Sequence, residues 1–266
     1  MIDIRPLKSL GQNFLVDKAI LRNIVGFADL NENDVVIEIG AGKGDLTELI
    51  ADKVLVVLAL ELDRRLIPLL EKRFKGSQNV KVICSDALQF NYFEASNRYK
   101  TQLKIIGNIP YYISTALTIK LLKMGPLISV ILFMFQREIG ERIIAQPGRK
   151  TFGPLSIFSQ VYSDVKKIME VERTAFSPQP KVDSSLVKFV MYREPRIKMQ
   201  DKEHFEKTIH YLFGQRRKTL INVLSAGGKG QKKDVVDKCI SAGIDPMRRA
   251  ETLTLDEIDR LVNILW

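Results

Sequence analysis

The stretch "DVVIEIGAGKGDL", Asp34–Leu46, decides how this chain folds. It opens on a short β-branched apolar run that stops at Gly40, followed by glycine at every second position: Gly40, Gly42 and Gly44. A continuous apolar run broken by glycine reads as a parallel strand buried on both faces. The segment after it, "GDLTELIADK", has helix-type spacing. Working outward, the same alternation repeats. "KVLVVLALE" (Lys53–Glu61), "NVKVICSD" (Asn79–Asp86), "LKIIGN" (Leu103–Asn108) and "LISVILFMFQ" (Leu127–Gln136) are the next apolar runs. Helix-type segments such as "DRRLIPLLEKRF" separate them. Strand and helix alternating every ~20–25 residues predict βαβ units, an α/β fold and a doubly wound parallel sheet.

Gly40, Glu61, Asp86 and Asn108 each fall where an expected strand ends and a loop begins. In an open α/β sheet those carboxyl ends line one crevice, where ligands bind. The glycine loop lets the backbone approach such a ligand closely at a helix start. A dinucleotide site would carry Gly-x-Gly-x-x-Gly, with glycine at position 45. Asp45 stands there instead, poor company for a pyrophosphate. Glu61 can accept two hydrogen bonds from ribose hydroxyls, and Asp86 can accept one from an adenine amine. The pattern describes a nucleoside ligand without phosphates, S-adenosylmethionine first and NAD second.

Composition narrows the partners. At 266 residues the chain can build one large core, or a large domain and a small one. No apolar run approaches the ~20 residues of a membrane span. The opening "MIDIRPLKSLGQNFL" has neither a secretory apolar core nor a transit-peptide pattern, so a cytoplasmic protein off the membrane is expected. Cys84 and Cys239 lie far apart, and with only His204 and His210 beside them no metal chemistry is expected. Lys and Arg number 41 against 31 Asp and Glu. Residues 181–266 hold as large a positive excess as residues 1–180, in less than half the length. Within them Lys207–Lys233 carries Lys207, Arg216, Arg217, Lys218, Lys229, Lys232 and Lys233 and no acid. Such a face favours a polyanion over mere solvation.

Eight ordered motifs then resemble one family. "KSLGQNFL" (Lys8–Leu15), "EIGAGKGDLT", "ELD", "SDAL", "GNIPYYIS", "FSPQPKVDSS" (Phe176–Ser185), "FGQRRKTL" (Phe213–Leu220) and "RAETLTLDE" (Arg249–Glu257) span nearly the whole chain. Together they resemble the S-adenosylmethionine-dependent adenine N6,N6-dimethyltransferases of small-subunit ribosomal RNA. The resemblance implies a Rossmann-like methyltransferase sheet with a small C-terminal helical domain. It places Gln12, Asn13 and Leu15 over the cofactor beside Gly40 and Gly42; Phe14, the apolar residue between them, is expected to pack into the core. It puts Glu61 on the ribose, Asp86 on the cofactor adenine, and Asn108 between cofactor and target base. The small ribosomal subunit and its rRNA are the implied partners, and the free protein is expected as a monomer. Tyr112 stands where many relatives carry Asn, and Ile109 where many carry Leu. Similar motifs occur in methyltransferases of large-subunit rRNA that confer macrolide resistance, and a further branch serves as mitochondrial transcription factors. A non-catalytic assembly factor on the same fold is the reading from another class.

The segment "IIGNIPYYIS", Ile105–Ser114, follows from that chemistry. An adenine amine is a poor nucleophile because its lone pair is delocalised into the ring. Two fixed acceptors, the Asn108 side-chain oxygen and the Ile109 carbonyl, can bind both amine hydrogens and draw the lone pair out of the plane. Pro110 stiffens the turn that aims them, and Tyr111 can stack on the base. Phe176, in a proline-rich loop, is expected on the other face of the base. A composition shift at Met191–Pro195 divides a catalytic domain, residues 1–192, from a helical RNA-binding domain, residues 193–266. Arg216, Arg217 and Lys218 are expected to contact RNA phosphates there.

Overall fold

The computed structural model describes residues 5–7, 10–199, 201–227 and 230–265. Lys8 and Ser9 of the first motif, and Lys229 of the basic segment, lie outside them. The chain divides into two compact units, Met1–Gly140 with Ser163–Glu194, and Glu141–Tyr162 with Pro195–Trp266.

The first unit is built on a seven-stranded sheet. Five parallel strands come from the expected apolar runs: β2 (Val35–Ile39), β3 (Val56–Glu61), β4 (Val80–Cys84), β5 (Leu103–Asn108) and β6 (Ile128–Gln136). Every residue of β2 and β3 is buried, Glu38 and Glu61 included, whereas β4 is partly exposed at the sheet edge. Helix α1 (Lys18–Phe27) precedes β2, helices α2 (Asp45–Ala51), α3 (Ile67–Arg73), α4 (Tyr92–Tyr99) and α5 (Tyr111–Leu122) connect the parallel strands, and α6 (Arg137–Ile143) follows β6. Two further strands, β7 (Ser163–Val171) and β9 (Ser184–Met191), extend the sheet antiparallel beyond β6. An antiparallel return needs no crossover helix, so this half of the sheet carries no βαβ signature in the sequence.

The strand order is β4-β3-β2-β5-β6-β9-β7. The chain steps from β2 outward through β3 and β4, then returns to pair β5 with the other side of β2. That reversal opens a crevice between the carboxyl ends of β2 and β5, where Gly40 and Asn108 stand. The two strands meet closely there, since a Cβ at Gly107 would come within 2.6 Å of the Ile39 carbonyl oxygen.

The expected continuous domain 1–192 is interrupted. Residues 141–162 group with the C-terminal helices because α7 (Pro154–Tyr162) is a core helix of the second unit. Its Phe158 packs edge-on with Phe205 of α8 (Lys202–Gly214), and Phe152 does the same with Phe213. Helix α9 (Leu220–Ala226), α10 (Lys232–Ser241) and α11 (Leu255–Ile264) complete this unit. The motif "RAETLTLDE" starts α11 with a reciprocal capping box between Thr254 and Glu257, and Arg248 clamps Glu257 at 2.6 Å. Among the described residues, no helix is long and apolar enough to cross a membrane.

Candidate active site

A cleft enclosing about 780 Å³, its open mouth included, lies at the carboxyl ends of β2, β3, β4 and β5. Gly40, Gly42, Glu61, Asp86, Asn108, Ile109, Pro110 and Tyr111 all line it, and Leu10–Phe14 form its N-terminal wall.

The glycine loop and Glu61 are one structure. Gly42 donates its N–H to Glu61 Oε2 at 2.8 Å, while Leu62 and Asp63 donate theirs to Oε1 at 2.9 Å. Three acceptor positions of the carboxylate are thus taken, and Oε2 retains room for one ligand hydroxyl rather than the two expected. Burial pushes the Glu61 carboxyl up, against the pull of these N–H donors. Gly42 sits at φ +59°, and a Cβ there would press on the Phe14 ring at 3.1 Å. Only glycine suits both the turn and that approach. Phe14 therefore covers the loop, with Lys43 Nζ 5.4 Å from its ring centroid.

Within the N-terminal motif, Gln12 and Asn13 line the cleft beside Gly40 and Gly42 as expected, whereas Phe14 differs. Phe14 and Leu15 form β1 (Phe14–Leu15), which pairs with β8 (Phe176–Ser177), Leu15 opposite Phe176. Strand alternation sends adjacent side chains to opposite faces. Leu15, 8 % exposed, joins the core while bordering the hollow beside Gly40, Gly42 and Asn108, and Phe14 faces the cleft instead of packing into the core as expected. Phe176 is 4 % exposed in the same core cluster as Leu15, Met134 and Leu186, so its ring is not presented to a base. Gln12 borders the cleft, but its side chain is engaged elsewhere: Oε1 accepts from Leu7 N at 2.7 Å and Nε2 donates to Asp63 Oδ2 at 2.9 Å.

Asn108 is the pivot of the cleft. Its Nδ2 donates to the Asn13 carbonyl at 2.8 Å, which leaves Oδ1 as the free acceptor of the amide. Asn13 thus holds Asn108, and its own amide donates to the Gly11 carbonyl at 3.2 Å. Ile109 is 1 % exposed, and Pro110 caps α5 with ψ 135° before Tyr111 begins the helix. Tyr111 hydroxyl lies 3.4 Å from Ser184 Oγ, whereas Tyr112 is 60 % exposed. Asp86 accepts from Leu88 N at 2.8 Å through Oδ1.

Two acids of this region went unread in the sequence. Glu38, 2 % exposed in β2, accepts the Thr47 hydroxyl at 2.5 Å and lines a hollow beneath the glycine loop. Its signal is an acid inside an otherwise apolar strand. Asp63, 4 % exposed, is held by Arg65, which keeps its carboxyl at about 2.

In the second unit, Arg216, Arg217 and Lys218 lie in an exposed turn between α8 and α9. Arg216 is committed within its unit: its guanidinium donates to the carbonyls of Lys150 and Phe152 and reaches Glu251 at 3.4 Å.

Comparison with known proteins gives the family. The family model described as ribosomal RNA adenine dimethylase matches residues 5–266. The ribosomal RNA small subunit methyltransferase A of Geobacillus sp. (strain WCH70) is 39 % identical, over 97 % of this chain and 91 % of that protein. The protein of the same description from Bacillus cereus (strain B4264) is 40 % identical, over 97 % and 90 %. Among solved structures, a dimethyladenosine transferase from Plasmodium falciparum superposes with a TM-score of 0.78 at 27 % identity, covering 93 % of this chain and 95 % of its own. The 23S rRNA methyltransferase ErmE, at 22 % identity and a TM-score of 0.70 over 95 % and 99 %, shares the fold. The chain belongs to the ribosomal RNA adenine dimethylase family.

Proposed function

We propose that this protein converts adenines of small-subunit ribosomal RNA to N6,N6-dimethyladenine. S-adenosylmethionine supplies an electrophilic methyl group when bound. Glu61, Gly40, Gly42 and Asp86 would hold it: one carboxylate position for a ribose hydroxyl, backbone close to the ligand, and a second acid for an amine. The observation that carries the reading is the amide of Asn108, tethered through Nδ2 so that Oδ1 is the acceptor available in the cleft. Beside it the Ile109 carbonyl, held by Pro110, is the second acceptor. Together they bind the amine hydrogens and raise the nucleophilicity of the nitrogen. Tyr111 is the aromatic face offered to the base. No strong general base is required, since the methylated cationic amine can lose its proton to water. After one transfer a hydrogen remains for one acceptor, so a second transfer follows.

The small subunit is favoured over the large by the names of the most similar relatives in sequence. A cytoplasmic, monomeric enzyme accords with this substrate. The test is incubation with labelled S-adenosylmethionine and purified unmethylated small and large subunits, followed by nucleoside mass spectrometry. Dimethyladenine in small-subunit RNA is expected, and Asn108→Ala should slow single-turnover transfer by ~10²–10³, the usual loss for one preorganised hydrogen-bonding partner. Label confined to large-subunit RNA, or an unaffected Asn108→Ala rate, would overturn the substrate or the two-acceptor mechanism respectively.

A further inference from the structure

The wall that holds Asn108 is itself latched by a buried carboxylate. Asp63 Oδ1 accepts from Arg65 N at 3.0 Å and Arg65 Nε at 2.9 Å. Its Oδ2 accepts from Arg65 Nη2 at 2.6 Å and from Gln12 Nε2 at 2.9 Å. Four donors fill the carboxylate, and three come from its own turn. Gln12, 51 positions away, is the fourth. The turn would be capped without it, so the long-range bond serves the N-terminal segment. Gln12 cannot rotate freely, because its oxygen is taken by Leu7 N at 2.7 Å. Arg65 Nη2 reaches the same segment at the Arg5 carbonyl, 3.3 Å away. On the far side, Phe14 and Leu15 are paired with β8.

Asn13 is therefore pinned between two anchors, and with two soft backbone dihedrals per residue its carbonyl has little freedom. That carbonyl receives the Asn108 amide at 2.8 Å. We infer that Asp63 is a positioning residue for methyl transfer, acting through Gln12 and the Asn13 carbonyl on the orientation of Asn108. The inference rests on Asn108 being an acceptor for the target amine. Misplacement of a reacting group by ~1 Å can cost about 100-fold in rate. The cofactor's own contacts are less exposed to this latch, because Glu61 keeps its backbone donors without the Asp63 side chain.

The experiment compares Asp63→Ala, Gln12→Ala and their combination for S-adenosylmethionine affinity, melting temperature and single-turnover methylation of small subunits. A rate loss of ~10-fold or more is expected in each single variant, with cofactor affinity within about threefold of wild type. The double variant should be no slower than the slower single, since both cut the same connection. Unchanged single-variant rates, additive losses, or a rate loss matched by an equal loss of affinity would each overturn the inference. If Asp63→Ala does not fold, Gln12→Ala decides. If wild-type protein labels no subunit RNA, the adenine reading fails by itself. The latch is then read from the ¹⁵N signal of the Asn108 side-chain amide: a shift in Gln12→Ala supports it, and no shift overturns it.

Discussion

Glu38 lies inside β2 at 2 % exposure, one strand position short of the glycine loop. Burial pushes its carboxyl up to about 8; Glu61 and Asp45 add to the rise, while the Thr47 hydroxyl and Arg73 oppose it. The folded value lies above the ordinary 4.5, so the folded state binds this proton more tightly than the unfolded chain does. The stabilisation is complete below about pH 4.5 and is lost as pH rises through about 8. This one group should remove up to ~1.4 kcal/mol of stability per pH unit within the window. Glu38→Gln keeps the shape and an acceptor for Thr47, and should flatten that decline in urea unfolding between about pH 5 and pH 8. Parallel pH profiles for the two proteins would remove the effect. At this scale, Glu61 and Asn108 are legible in the sequence because a polar residue ending an apolar run is a local chemical signal. Phe176 is not. A phenylalanine flanked by prolines reads equally as an exposed platform or a core residue, and its strand partner Leu15 decides.

The basic motif "FGQRRKTL" divides its work within one turn between elements. Helix α8 ends at Gly214 and α9 starts after Thr219, so Arg216–Lys218 lie on neither helix. Arg216 bonds the carbonyls of Lys150 and Phe152 and thereby ties the 148–152 loop of its own unit to this turn. Its loss should leave those partly exposed carbonyls to water, a cost of ~0.5–1.5 kcal/mol. Arg216→Ala should therefore lower the melting temperature. Arg217→Ala with Lys218→Ala should leave melting unchanged and weaken RNA binding, reducing the salt slope by ~0.9 for each duplex phosphate no longer neutralised. Filter binding across a salt series, beside thermal unfolding, checks both halves. An Arg216→Ala variant that melts like wild type but loses RNA affinity would place that guanidinium on the RNA. The charge of the segment was legible in composition. The separate task of Arg216 was not, because carbonyls 64 and 66 positions away leave no mark on the local pattern.

For the molecule as a whole, a ligand that binds only the folded form stabilises by about 2.7 kcal/mol at 100 times its Kd. For a protein of this size that corresponds to a rise of roughly 5–10 °C in melting temperature. S-adenosylmethionine should produce it and NAD should not; the opposite result would reverse the reading of the glycine loop. The sequence alone determined the five parallel strands and the placing of Gly40, Glu61, Asp86 and Asn108 at the crevice of their carboxyl ends. Those features rest on local signals: strongly apolar runs, glycines that permit a turn, and polar residues placed where a strand stops. Only the tertiary structure decided that Gln12 meets Asp63, that Asn13 holds Asn108, that Phe176 is buried against Leu15, and that residues 141–162 fold with the C-terminal helices. Each of these depends on which surfaces face one another after the chain has crossed the sheet and returned, and a local pattern carries no information about distant partners.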